Sequence, residues 1–125
     1  MTNLILIIAF LSPISMQASE AECLAKIIFA ESRGESIEGA IAVGQATVNR
    51  AKRTDKSICK LTGVSRLTPP RNLRDHYTAL ANSVLDGKHS IVRNSDSWNT
   101  GTKPKSAGKV VRHIGGHVFY VMSKL

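Results

Sequence analysis

Cys23-Leu24-Ala25-Lys26-Ile27-Ile28-Phe29-Ala30-Glu31-Ser32-Arg33-Gly34-Glu35 is the stretch on which the fold turns. Leu24, Ile27, Ile28 and Phe29 recur at helical spacing, and Gly34 stops the run. The spacing predicts a largely buried helix over about residues 20–33, with Glu31 in its last turn. A carboxyl held against apolar surface favours its neutral form, because burial disfavours charge. A carboxyl still protonated near neutral pH can give its proton to a leaving group. The residues alone leave a plainer reading open, in which Glu31 caps the helix end or pairs with Arg33 on the surface.

Downstream, Ser36 is placed to cap a second helix that carries Ile37, Ile41, Gly44 or Gln45, and Val48 on one face and runs to about Arg53. Gly39 and Gly44 inside it cost stability relative to alanine, so they are expected to permit close helix packing. Residues 54–71 read as irregular, with Thr68-Pro69-Pro70 as a stiff break. Asn72-x-x-Asp75 reads as a capping box for a third helix with Leu73, Tyr77, Leu80, Ala81 and Val84 inward, ended by Asp86-Gly87. Ser90 to Thr100 reads as a short strand, Gly101 to Gly116 as a basic glycine-bearing loop, and His117 to Met122 as a strand. The expected class is α+β: a helical core with a small C-terminal β-hairpin.

The chain of 125 residues suits one domain and can bury a real core. It carries 17 Lys and Arg against 9 Asp and Glu, a net charge of +8, and every charge lies beyond residue 18. Such a surface favours polyanions. Aromatics are too few for single-strand stacking platforms, and no Lys/Arg run forms a nucleic-acid arm, so nucleic acid is not the expected partner. An anionic cell wall surface remains.

Residues 1–21 read as an export segment: an apolar run from Leu4 to Leu11, then Pro13, then small residues offering cleavage after Ala18 or Ala21. Ser19-Glu20-Ala21 fits the small-x-small rule better, and Thr2 and Asn3 replace the usual basic front. The run is shorter than the roughly 20 apolar residues a span needs, so membrane contact is expected only transiently, through this segment. Residues 22–125 are then one exported domain, periplasmic or secreted, and expected to be a monomer. Cys23 and Cys59 are expected to pair there, closing a loop that stabilises by about 3–4 kcal/mol on the chain-entropy model.

Glu31-Ser32-Arg33-Gly34-Glu35, then Glu38-Gly39, Ala42-Val43 and Asn49-Arg50, resembles the signature of the cell wall hydrolases of the spore-cortex-lytic type. Ser32 stands where that family usually has alanine. Cys59, Ser97-Trp98-Asn99 and the closing Ile114-Gly115-Gly116-His117-Val118-Phe119-Tyr120 also resemble family features. The resemblance spans about residues 23–59 and 95–120; between Lys60 and Arg71 the chain departs from the pattern, so no groove contacts are implied there. The resemblance implies a lysozyme-like domain, related to lytic transglycosylases, that cleaves peptidoglycan glycan strands with Glu31 as the acid. It also implies service in cell separation, spore germination or host lysis, where the enzyme would act as an endolysin.

Glycoside cleavage usually takes two carboxylates. Glu35, Glu38, Asp86 and Asp96 are candidate partners, but none is clearly placed, which favours a single acid and no cofactor. Glu35, Gln45, Asn49, Trp98, Asn99 and Tyr120 are the candidate substrate-binding residues, with Trp98 able to stack on a sugar face. Asn49 also reads as a backbone cap, and Trp98 and Tyr120 as core residues. His113 and His117 have the spacing of a helical zinc pair, but Gly115 and Gly116 intervene and no further ligands accompany them, so no metal is expected. A zinc amidase or endopeptidase, and a non-catalytic basic wall-binding domain, are the alternatives. Lys103, Lys105, Lys109 and Arg112 are the expected docking charges for the wall.

Overall fold

A computed structural model of the chain describes residues 19–125. The apolar run of the expected export segment lies outside the described residues. Helix α1 covers residues 19–32, α2 Ile37–Thr54 and α3 Arg74–Leu85. Strands β1 (Ser97–Thr100), β2 (Ala107–Ile114) and β3 (His117–Met122) form an antiparallel sheet in the order β1-β3-β2. The class is α+β, as the sequence patterning predicts.

The apolar spacing of α1 has the expected result: Leu24, Ile27 and Ile28 are fully buried, and the helix turns at Gly34. Ser32, the departure from the family motif, is buried and donates its hydroxyl to Ile28 O, which satisfies it locally. Ser36 caps α2 as expected, its Oγ accepting the Gly39 N–H at 3.1 Å. A Cβ on Gly44 would lie 2.9 Å from Ile28 Cδ1 and 3.1 Å from Val84 Cγ2, so α1 and α3 close on α2 where only hydrogen leaves room. The core has two clusters. Leu24, Ile27, Ile28, Ala40, Ile58, Leu61, Ala81 and Val84 pack among the helices, while Ala42, Val43, Ala46, Val92, Ile114 and Phe119 pack between α2 and the sheet. Half-buried Trp98 packs against both.

Three local expectations are corrected. Asn72 is not an N-cap: residues Arg71–Leu73 form a 3₁₀ turn, and α3 starts at Arg74 without a side-chain cap. The fixed backbone of Pro69-Pro70 feeds that tighter turn first. The strand expected over Ser90 to Thr100 is only Ser97–Thr100. Half of the basic loop expected over Gly101 to Gly116 is β2, so the hairpin is a three-stranded sheet with β3 in its centre. Val110, Val111 and Ile114 supply the β-branched residues, and a Cβ on Gly108 would meet Val121 O at 2.6 Å, so that glycine permits the strand approach. Register shifts between Ala107 and Val110 and between Val110 and Arg112 blur the alternation that would have marked β2.

Cys23 in α1 is joined to Cys59 in the 3₁₀ turn Ile58–Lys60. No helix among the described residues is long and apolar enough to cross a membrane. Residues 19–21 belong to α1: Glu20 Oε2 accepts the Ile58 N–H at 2.7 Å, and Ala21 is buried. A chain starting at Glu22 should therefore lose about 2 kcal/mol relative to one starting at Ser19, the range of a hydrogen bond to a charged group. Thermal circular dichroism should show a fall of roughly 10 °C; equal melting temperatures would mean that these residues contribute nothing.

Candidate active site

Glu31 ends α1 half-buried, with both carboxylate oxygens occupied. Oε1 accepts the Ser65 backbone N–H at 2.8 Å, and Oε2 accepts the Trp98 indole N–H at 3.2 Å. The two donors come from different elements, one from the irregular segment after the 3₁₀ turn and one from β1. Arg66 fixes that segment, its Nη2 donating to the carbonyls of Ile58, Cys59 and Leu61 at 3.0, 3.3 and 2.8 Å. Leu67 N–H donates to Lys26 O at 3.2 Å, laying the same segment along α1. The segment from Lys60 to Arg71, where the family resemblance lapses, thus reaches the Glu31 carboxylate. It does so through backbone, and a backbone donor has no residue-type signature.

The other predicted residues are placed as follows. Glu35 turns toward the β2–β3 connection: its carboxylate accepts the Gly116 N–H at 3.1 Å, and Oε1 is 3.5 Å from His117 Nδ1. A Cβ on Gly115 would lie 2.3 Å from Glu35 Oε2, and Gly115 has φ +56°, so the turn is shaped around this carboxylate. Gln45 uses both ends of its amide, donating to His89 O and accepting the Val92 N–H at 2.7 Å. Asn49 Nδ2 donates to Arg93 O and Ser95 O at 2.7 and 2.8 Å. These amides hold the connection between α3 and β1. Asn99 is exposed and donates to Thr102 O at 3.0 Å. Tyr120 is buried on β3, opposite Ser97 of β1. Of the six, Trp98 alone bonds Glu31 in this structure.

The candidate partner carboxylates are engaged elsewhere or exposed. Buried Asp96 pairs with Arg53 and accepts from Ser97 Oγ and Met122 N, both at 2.9 Å. Glu38 pairs with Arg112 at 2.7 Å, and Asp86 is exposed after α3. The register pairs His113 with Val118 and Ile114 with His117, so the two imidazoles occupy opposite faces of the sheet and do not share an ion. Among the described residues no group of three His, Cys, Asp or Glu side chains converges for a metal. Lys103 and Lys105 are exposed in the β1–β2 connection, and Lys109 and Arg112 are exposed along β2.

The fold is similar to that in the crystal structure of the catalytic domain of the Bacillus cereus SleB protein, with a TM-score of 0.62 and 18% identity over 81% of this chain and 88% of that chain. No family model and no curated protein sequence matches the chain.

Gly115→Ala should expel the Glu35 carboxylate from the turn and cost about 1–3 kcal/mol in equilibrium denaturation. The same change in a Glu35→Ala background should cost distinctly less, because only backbone strain remains. Equal costs would separate Gly115 from Glu35. A second expectation concerns alkaline pH. Burial pushes the Tyr120 phenol above its usual 10.0, Asp96 adds to this, and Arg50 opposes it. The folded state thus holds this proton more tightly than the unfolded state does. The stabilisation is complete below pH 10.0 and declines as pH rises from there through the folded value. Tyr120→Phe should flatten that decline in denaturation measured between pH 9 and 11.

Proposed function

We propose that this protein cleaves the glycan strands of peptidoglycan as a lytic transglycosylase, with Glu31 as its single acid and base. The observation that carries the proposal is the Glu31 carboxylate, gripped by Ser65 N–H and the Trp98 indole where α1 ends, while each other candidate carboxylate is engaged or exposed elsewhere. The motif resemblance to cell wall hydrolases of the spore-cortex-lytic type supports it. So does the fold shared with a catalytic domain.

In this scheme Glu31, protonated, donates to the glycosidic oxygen between N-acetylmuramic acid and N-acetylglucosamine. The C1–O bond breaks as positive charge develops at C1, and the leaving sugar departs with the proton. Glu31, now a carboxylate, accepts the proton of the muramic 6-hydroxyl while that oxygen bonds to C1. The product is a 1,6-anhydro ring and the acid is regenerated. No water, cofactor or second carboxylate enters the balance. The exposed cations Lys103, Lys105 and Lys109 supply long-range attraction to the anionic wall, which salt screens over about 10 Å at 0.1 M. Arg112 is shared with Glu38 and contributes less. The Cys23–Cys59 bond supports action outside the cytoplasm, after export, in wall remodelling or host lysis.

Glu31→Gln keeps the shape and removes the titrating oxygen, so it should lower sacculus clearing by at least ~100-fold while circular dichroism stays unchanged. Mass spectrometry of the wild-type digest should show anhydromuramyl ends. Reducing muramic ends would make the enzyme a hydrolase using water with the same acid. Free stem peptides with intact glycan would overturn the glycosidase reading, and undiminished clearing by Glu31→Gln would overturn the assignment of the acid.

A further inference from the structure

Arg50 closes the Asn49-Arg50 step of the sequence motif, and the reaction scheme gives it no part. Its guanidinium carbon lies 5.5 Å from the centroid of the Trp98 ring. Nε donates to Asp96 O at 2.9 Å, and Nη2 donates to Ser97 Oγ at 3.1 Å. Asp96 and Ser97 are the residues that lead directly into Trp98, so one guanidinium grips the backbone before the indole and also covers its ring. Ser97 Oγ gives its own proton to Asp96 Oδ1 at 2.9 Å, which leaves a lone pair for Arg50. Asp96 is buried and held by Arg53 and by Met122 N–H. The acceptors of the fork are therefore held from both α2 and β3. The far end of the indole donates to Glu31 Oε2 at 3.2 Å.

The geometry points to Arg50 as a positioning residue for Glu31, acting through Trp98; the inference rests on the role proposed above for Glu31. Two physical effects run along this line. A cation over the ring draws π density toward itself and leaves the indole N–H a stronger donor. A planar guanidinium with two fixed hydrogen bonds also sets the tilt of the ring more firmly than packing alone. Both keep the N–H on Oε2, so the carboxyl returns to one orientation after each proton transfer. Without Arg50 the indole is free to tilt, and a misplaced acid lowers turnover more than it lowers sugar binding.

The test is a double-mutant cycle on a soluble glycan, read as kcat and KM separately. Arg50→Met should lower kcat about 10-fold, a modest share of what a 1 Å misplacement can cost, with KM within about twofold. In a Trp98→Phe background the same change should lower kcat less than about twofold, because its route to Glu31 is already gone. Equal loss in both backgrounds would overturn the inference. A second arm needs no activity. Trp98 is the chain's single tryptophan, so its emission is read without interference. Glu31→Gln should change that emission in the wild type and clearly less in Arg50→Met; equal changes would likewise overturn the inference. If the wild type cleaves no glycan, the Glu31 reading fails while the fluorescence arm still decides whether Arg50 controls the contact. Should Arg50→Met not fold, Arg50→Lys, which keeps the charge and loses the fork, serves in both arms.

Discussion

The close approach of α1 and α3 to α2 at Gly44 is the constraint on which the rest of the structure depends. Ile28 and Val84 both reach the space a side chain there would fill. A glycine inside a helix costs about 1 kcal/mol relative to alanine. Burying Ile28 and Val84 returns roughly 2 kcal/mol each, so packing outweighs propensity. The buried positions of α2 are otherwise mostly small, with Ala40, Ala42, Ala46 and Ala51 among them. A helix with small residues on nearly every side can be covered on nearly every side. That is why α2 separates two apolar clusters instead of lying on the surface of one.

The acid sits where these clusters meet. Glu31 extends the buried face of α1 past its last apolar residues, and Trp98, which packs against both clusters, reaches it from the sheet. Ser65 reaches it from a segment tied down by the Cys59 disulfide and by the three carbonyls on Arg66. The candidate site is a junction between elements: α1, the segment through Ser65, and β1. A cavity of 440 Å³ lined by Lys26, Pro69, Arg74 and Thr78 touches none of Glu31, Ser65 or Trp98.

Helix α1 and the start of α2 were legible because burial and capping write themselves into local sequence, whereas the start of α3 was not. Leu24, Ile27 and Ile28 mark α1, and a serine with a free oxygen marks the start of α2. The sheet was half legible. His117–Met122 is continuous, mostly apolar and central, so it announces itself, whereas β2 is only partly buried, bulged, and interrupts its valines with Gly108, Lys109, Arg112 and His113. At the candidate site, the sequence reading singled out Glu31 and Trp98, and the structure joins the two by a hydrogen bond. It offered Gln45 and Asn49 as candidate substrate groups, with Asn49 also readable as a backbone cap, because polar residues one helical turn apart look the same whether they face a sugar or a loop. Their partners, the carbonyls and amide of residues 89–95, are fixed only by how the chain returns to α2. Ser65 was illegible in principle, since every residue but proline offers the same N–H.

The paired glutamates of the motif show how backbone geometry can assign chemistry. Had α1 continued, Glu35 would lie one turn beyond Glu31 on the same face, and the two carboxylates would be neighbours. The turn at Gly34 sends the chain away, and Glu35 instead closes on the Gly115–Gly116 turn, which has no side chain to exclude it. One carboxylate then braces the α1–α2 turn against the sheet, with His117 beside it. The other is left alone with two N–H donors. A lone acid cannot share displacement with a nucleophile of its own kind. In the reading proposed above it must therefore take its second proton from the substrate or from water, and that single difference separates an anhydro product from a reducing one.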